Sequence, residues 1–367
     1  MKNVLGIVFA SSQDHTMSSL TNQRCTGSIP IGGRYRLIDF ALSSLVHSGV
    51  EDVGVITKNN CPSLMDHLRN GREWDLSRKK GGLAILPPLN SIYRGKIEAL
   101  HSAMDYISSR DAQYIITVDC DMMMNTTFDK MFASHTRRGA DITVMYKKMD
   151  LAQCAGSDAF VLLTEQDGRL REVLANPPLA GEQNVYLGVI IISKGLLEYL
   201  VGNCYSRNLF DLERDVLQAG IEQYHINAFE YTGYLSCLSS LQTYYNANLA
   251  LLDTQVRRDL FPRDLPVYTK VRDDAPVCYG LSSKVTNSLV ADGCLIEGEV
   301  EGSVLFKGVT VGKGAKVKNS IVMQGTTIGE NSSLDCVITD KNVMIQEGRV
   351  LAGFSTYPVY ISKGAIV

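Results

Sequence analysis

The run Val304-Leu305-Phe306-Lys307-Gly308-Val309-Thr310-Val311-Gly312-Lys313-Gly314-Ala315-Lys316-Val317 decides the fold of the last part of this chain. Leu305, Val311 and Val317 recur six residues apart. The pattern extends both ways, to Val290 and Ile296 before it and to Val322, Ile328, Leu334, Val337 and Val343 after it, with Gly, Ser and Asn between. A coil with three six-residue sides explains this period: one aliphatic per side points inward and stacks on its equivalent in the next coil. The hexads therefore predict a left-handed parallel β-helix. A run of antiparallel strands separated by glycine turns is the competing reading, and Ser303-Val304-Leu305-Phe306 does alternate with period two. Breaks of phase at Val317 to Val322 and at Leu334 to Val337 point to a short solenoid with offset corners.

Toward the N-terminus, the segment from Phe261 to Pro276 carries Pro262, Pro266 and Pro276, several charges and no periodicity, as a linker does. The expected division is a first domain over residues 1–258, a linker over 259–277 and the β-helix over 278–367. Within the first domain, buried-strand runs (Val4 to Phe9, Val53 to Ile56, Tyr114 to Val118, Ile142 to Met145) alternate with helical spacing. Leu37, Ile38, Ala41, Leu42 and Leu45 line one helix face, and Ile97, Leu100, Met104 and Ile107 another. This βαβ alternation predicts an α/β fold with a mostly parallel, doubly wound sheet. From about Ala159 the pattern becomes mixed. Strand candidates Phe160 to Leu163 and Leu187 to Ile192, with helices around Leu212 to Ala219 and Leu241 to Leu252, are expected to extend one edge of the sheet.

The 367 residues are 45% hydrophobic and 20% charged with a net charge of -3, which describes an ordinary globular protein without the basic excess of a nucleic-acid binder. No apolar run approaches the ~20 residues of a membrane helix. Met1-Lys2-Asn3 leads directly into a strand, so a cytoplasmic location is expected. The nine cysteines are scattered without a C-x-x-C pair, which reads as reduced, mostly buried thiols rather than a disulfide framework or a zinc site.

A longer motif carries more. Gly32-Gly33-Arg34-Tyr35-Arg36-Leu37-Ile38-Asp39-Phe40-Ala41-Leu42-Ser43-Ser44 ends in His47-Ser48-Gly49-Val50. It is followed in order by Tyr93-Arg94-Gly95, Tyr244-Tyr245-Asn246-Ala247-Asn248-Leu249 and Ser288-Leu289-Val290-Ala291-Asp292-Gly293-Cys294. Together these resemble the bacterial ADP-glucose pyrophosphorylase (glucose-1-phosphate adenylyltransferase) family over nearly the whole chain. The resemblance implies a Rossmann-like nucleotidyltransferase domain followed by a left-handed β-helix. It also implies the reaction of ATP with glucose 1-phosphate to give ADP-glucose and diphosphate in glycogen synthesis.

Such a reaction brings phosphates together, so its site must supply positive charge, close backbone N–H groups and a metal. The family's motifs place those groups at positions where this chain departs. The loop of form G-G-x-G-x-R-L reads Ser11, Ser12, Gln13, Asp14, His15, Thr16 and Met17, and Asp14 adds a negative charge. The R-A-K-P motif reads Arg24-Cys25-Thr26-Gly27, with Thr26 for the lysine. F-V-E-K-P reads Val173-Leu174-Ala175-Asn176-Pro177, with Asn176 for the sugar-phosphate lysine, and G-T-A-D-A reads Gly95-Lys96-Ile97-Glu98-Ala99. Of the two metal aspartates, Asp121 in Asp119-Cys120-Asp121 stands for the first, while the second falls on Cys237. Losing one charge-stabilising donor typically costs ~10²–10³ in rate, so several such losses imply a catalytically deficient chain.

The pattern resembles the D-type, non-catalytic subunit that some bacteria pair with a catalytic one. By that resemblance, the partner is a catalytic pyrophosphorylase subunit in a hetero-oligomer, expected to be a tetramer. Mg²⁺ belongs to that partner, no cofactor to this chain, and a sugar phosphate is the expected effector. Arg24, Arg34 and Arg36 are the candidate effector contacts, with ion pairing to Asp39 or capping of a helix start as the alternative. Lys96 reads as a solvated charge, and the six histidines receive no role. Two rival readings stand: an active nucleotidyltransferase with Asp119 and Asp121 on the metal and Lys96 or Arg24 on phosphate, and a non-enzymatic binding platform.

Overall fold

The computed structural model describes residues 1, 3–11, 17–57, 61–88, 93–154 and 158–367. Ser12, Asp14 and Thr16 lie outside the described residues.

The first domain is built on a nine-stranded sheet. Its strands are β1 (Val4–Phe9), β2 (Asp52–Ile56), β3 (Gly82–Leu86), β4 (Tyr114–Asp119), β5 (Ile142–Asp150), β6 (Phe160–Thr164), β7 (Leu170–Ala175), β8 (Glu182–Ser193) and β9 (Ile226–Glu230). Their spatial order is β7-β6-β8-β4-β1-β2-β3, with β5 against β8 and β9 against β5. β4, β1, β2 and β3 run parallel, the doubly wound half expected from the βαβ alternation. Both faces of β1 are buried, which is why it reads as an unbroken apolar run. Val4 and Val8 pack with Ile38, Leu42 and Leu45 of the helix Leu37–His47, while Leu5 and Ile7 pack with Ile97 and Leu100 of the helix Lys96–Ser102.

The edge added by the later strands is mostly antiparallel. β8 runs against β4, β5 and β6, and only β9 on β5 is parallel. The register of β8 against β5 shifts between Tyr186 and Ile190, around Gly188 at φ +64. The bulge brings Gly188 against the end of β4, where a Cβ would collide with the Asp119 carboxylate. Glycine is required there both for its φ and for room.

The C-terminal domain is a left-handed parallel β-helix of three five-stranded sheets. Ile296, Leu305, Val311, Val317, Val322, Ile328, Leu334, Val337 and Val343 all fall in its core, so the hexads mark the inward positions. The phase breaks have a local cause. One corner is a single left-handed residue, Asn319 at φ +45 in one coil and Cys336 at φ +53 in the next, which shortens the path between sheets. A coil therefore takes 17 residues, as from Cys278 to its partner Leu295. The coil from Leu295 to Thr310 takes only 15, because Gly298 turns tightly where a Cβ would collide with the Ala315 carbonyl.

The third sheet of the β-helix is dry on both sides. Leu305 and Val322 face the coil interior, while Val304, Ile321 and Ile338 join a core with Leu37, Phe40, Tyr244, Tyr245 and Leu251 of the first domain. Tyr245 Oη donates to Asn319 O at 2.6 Å across this seam. The segment expected to be a linker is also fixed in place. The helix Thr254–Leu260 runs into it, Asn125 Nδ2 donates to Leu260 O and Leu265 O, and Tyr268 N donates to Ser43 Oγ. No disulfide joins any of the nine cysteines, and all but Cys278 are buried. Among the described residues, no helix is long and apolar enough to cross a membrane.

Candidate functional site

Two cavities of opposite charge lie about the first domain. The first opens at the carboxyl ends of β1, β2 and β4, where ligands bind in open parallel sheets. It encloses about 210 Å³ and is lined by Phe9, Ser11, Thr57, Lys96, Asp119, Asp121, Glu213 and Cys237 among others. Lys96 begins its helix pointing inward, and its Nζ donates to Asp119 Oδ2 at 2.6 Å and to Glu213 Oε1 at 2.5 Å. This corrects the reading of Lys96 as a solvated charge: its side chain is three-quarters buried in a carboxylate clamp. Burial opposes its charge, but Asp119 and Glu213 outweigh that and hold the ammonium well above the ordinary lysine range. Burial lifts the Asp119 carboxyl to about 6, with Lys96 opposing the rise and Asp121 adding to it. Burial raises Glu213 as well, against the pull of Lys96.

Asp121 and Cys237 do come together, as the motif alignment requires. Cys237 pairs with Met122 across a two-stranded ribbon, and Leu238 N donates to Asp121 O at 2.8 Å. A hydrogen bond with Cys154, together with burial, keeps the Cys237 thiol protonated well above its usual range. A protonated thiol is a poor metal ligand, and among the described residues no group of three His, Cys, Asp or Glu side chains is arranged to hold an ion. Of the other predicted positions, Ser11 lines the cleft. Thr26 lies buried in a short helical turn, and Asn176 sits outside the cleft, donating to Asp158 Oδ1 and accepting from Ala159 N on its rim.

The second cavity, of about 250 Å³, lies between the domains and is lined by Arg34, Arg36, Lys270, Arg272, Lys307 and Lys341 with Asp66, His67 and Gln324. Arg36 serves two ends at once: its N–H donates to Asp39 Oδ2, capping the helix Leu37–His47, while its Nη1 donates to Ser63 O and Ser63 Oγ. Asp39 gives its other oxygen to His67, at 2.6 Å. Lys270 pairs with Asp66 and Lys307 with Asp274. Among the described residues, Arg34, Arg272 and Lys341 pair with no carboxylate. Burial, reinforced by Arg36 and Arg24, pushes the Lys341 amine down to about 7. Arg24 itself does not line the cavity: both oxygens of Asp340 accept from its Nη2, at 2.7 and 2.8 Å, inside the seam.

The sequence reading placed Arg34 and Arg36 but not their four basic companions. A signal existed. Lys307, Gln324 and Lys341 are spaced 17 apart, the length of a coil, and stack as one column: Gly325 N donates to Lys307 O and Asn342 N to Gln324 O.

A doubly wound sheet with a polar cleft at its strand ends, joined to a parallel β-helix, defines a nucleotidyltransferase-type chain. The comparisons agree: residues 6–156 match the nucleotidyl transferase family, and residues 277–355 match the GlmU-like C-terminal hexapeptide family. The glycogen biosynthesis protein GlgD of Bacillus subtilis (strain 168) is 34% identical, over 99% of this chain and 96% of its own length. Glucose-1-phosphate adenylyltransferases of Pseudothermotoga lettingae and Geobacillus stearothermophilus are 33% and 30% identical, each over 86% of this chain and over 77% and 84% of their own lengths. The chain belongs to this family of GlgD and the glucose-1-phosphate adenylyltransferases, proteins of glycogen biosynthesis.

Proposed function

We propose that this chain is a regulatory, catalytically deficient subunit of a glucose-1-phosphate adenylyltransferase, assembling with a catalytic homologue and tuning its response to a sugar-phosphate effector. The observation that carries the proposal is the Lys96 ammonium held between Asp119 and Glu213, with the Cys237 thiol beside Asp121. Adenylyl transfer needs cations aimed at phosphate oxygens. Here the one lysine among the cleft's described lining residues is spent on two carboxylates, and a thiol stands at the motif position of the second metal carboxylate. Mg²⁺ demands a near-octahedral set of oxygen ligands, which this donor set does not fit, so the metal and the chemistry are assigned to the partner. The rival active-site reading needs Lys96 or Arg24 free for phosphate, and the clamp on Lys96 and the Arg24–Asp340 pair weigh against it.

The interdomain cavity supports the regulatory half of the proposal. Among the described residues, Arg34, Arg272 and Lys341 present positive charge without a carboxylate partner, and guanidinium pairs suit phosphate. The test is an assay of ADP-glucose formation by the chain alone, by its catalytic homologue alone, and by the two mixed. The isolated chain should form no product above background, and the mixture should respond to sugar phosphates differently from the homologue alone. Substantial product from the isolated chain would falsify the proposal. Replacing Arg34 and Arg272 together by Gln should abolish the altered response while co-elution of the two subunits persists.

A further inference from the structure

The β-helix is a three-sided prism whose faces differ. Its third sheet lies against the first domain. The first sheet turns Cys278, Leu295, Thr310, Thr327 and Met344 outward, a column without charge. The second sheet is made of Lys284–Thr286, Glu299–Glu301, Lys316–Lys318, Ser333–Asp335 and Val350–Ala352 in successive coils, each strand pointing its middle residue inward and its flanking residues outward. In-register parallel pairing stacks those outward residues into two columns, Lys284-Glu299-Lys316-Ser333-Val350 and Thr286-Glu301-Lys318-Asp335-Ala352. The charges are therefore banded: the Glu299–Glu301 strand presents only carboxylates, and the Lys316–Lys318 strand only ammonium groups.

Within one chain the banding is half used. Lys318 Nζ lies 3.3 Å from Glu301 Oε2, with the two side chains 49% and 60% exposed. An exposed pair of this kind adds little to stability, and an ionised carboxylate keeps lone pairs for a further donor. What the banding specifies is a mate. Two copies of one face can meet about a two-fold axis along the coil axis, which preserves the order of the coils, or along the strands, which reverses it. Preserving the order sets carboxylates on carboxylates and ammonium groups on ammonium groups. Reversing it about a point midway between the two charged strands sets Glu299 over the second copy's Lys316 and Glu301 over its Lys318, and the converse by symmetry. Lys284 then falls diagonal to the second copy's Asp335. A slip of one coil sets Lys316 over its own copy, so charge selects both direction and register. The reversed order also brings Leu281, fully exposed at the head of the first coil, towards Val350, 74% exposed, on the last coil of the second copy.

We infer that this charged face is a contact between two copies of this chain, which meet face to face with their coils antiparallel. Four coils about 4.8 Å apart and a side about 20 Å wide cover roughly 400 Å² on each copy, half of the roughly 800 Å² per partner of a standard interface. The pair is therefore weak and strongly salt-dependent. The inference stands apart from the regulatory reading, because it needs neither the catalytic homologue nor an effector.

The experiment is sedimentation velocity of the full chain alone, from about 10 to about 300 μM, in about 20 mM and about 500 mM sodium chloride. A concentration-dependent dimer is expected at low salt, with its dissociation constant raised at least about tenfold at high salt. Glu299→Lys with Glu301→Lys makes both bands positive, and Lys316→Glu with Lys318→Glu makes both negative, so each variant alone should lose the salt-sensitive association. Mixed in equal amounts, the two variants should associate with each other at the parental affinity or better, since positive bands then face negative ones. Pairing between coils of one chain cannot produce that rescue, and the denaturation midpoints of the separate variants check their folding. Should a charge reversal unfold the chain, Glu299→Gln with Glu301→Gln carries the test by weakening the dimer at least about threefold. The inference is overturned if the parent stays monomeric at low salt, if either reversed variant associates as the parent does, or if the mixture stays unassociated. A dimer indifferent to salt and to these substitutions uses another surface and overturns it as well.

Discussion

The two cavities treat charge in opposite ways. In the cleft, one lysine answers two carboxylates and a third stands nearby, so negative charge is left over; at the seam, the side chains of Arg34, Arg36, Arg272 and Lys341 have no ion-paired carboxylate among the described residues. The cleft is assembled from strand ends that the sheet places wherever the fold forms. The seam exists only where the β-helix lies against the first domain, and its basic column comes from coils rather than from the sheet. A family scaffold can thus carry negative charge in one cavity and positive charge in the other, because different parts of the chain supply the two.

The comparison can be broken most forcefully at Arg24, whose Nη2 donates to both oxygens of Asp340 inside the seam. Arg24→Met leaves Asp340 buried without its partner and should cost about 3–5 kcal/mol, read from urea denaturation; Asp340→Leu in the same chain should recover most of the loss. Gly188→Ala attacks the cleft instead. Its Cβ would collide with Asp119 at a φ that L residues avoid, so a loss of about 2–4 kcal/mol is expected. The fluorescence response of Trp74 to phosphate should be retained, because this sole tryptophan packs edge-on against His67 and reports the seam cavity and not the cleft.

Lys96→Met removes the cation of the clamp. Asp119 and Glu213, already raised by burial, then rise further, and the folded state takes up protons more readily than the unfolded one. Stability of this variant relative to the parent should therefore be worse at pH 8 than at pH 5, by about 2 kcal/mol, in parallel denaturation series. The smallest effect belongs to the seam. Lys341 is charged below about 7 and neutral above it, so affinity for sulfate, whose charge does not change over this range, should fall several-fold between about pH 6 and pH 8. Titrations followed by Trp74 fluorescence would show this, and Lys341→Met should flatten the dependence.

Much of this was legible in the sequence. The hexads marked the inward positions of the β-helix because its core is one-dimensional, each coil touching only its neighbours, and the parallel half of the sheet followed from the βαβ alternation. The antiparallel direction of β8 was not legible, since local pattern records which strand is buried and not which way it runs. Asp121 and Cys237 were matched by motif and do meet. The fate of Lys96 was hidden because it is decided by Glu213, 117 positions away. The proline-rich segment from Phe261 to Pro276 lacked periodicity because side chains such as Asn125 and Ser43 hold its backbone, not because it hangs free.

The β-helix sheet that is dry on both faces has a consequence for proteolysis. A protease that cuts at Arg263, in the connecting segment, would sever the chain without separating its halves. Val304, Ile321 and Ile338 would still be buried against Phe40 and Tyr244, and the Arg24–Asp340 pair would still span the cut. The nicked molecule should elute as one particle and come apart only when denatured, behaving as a single cooperative body made of two fragments.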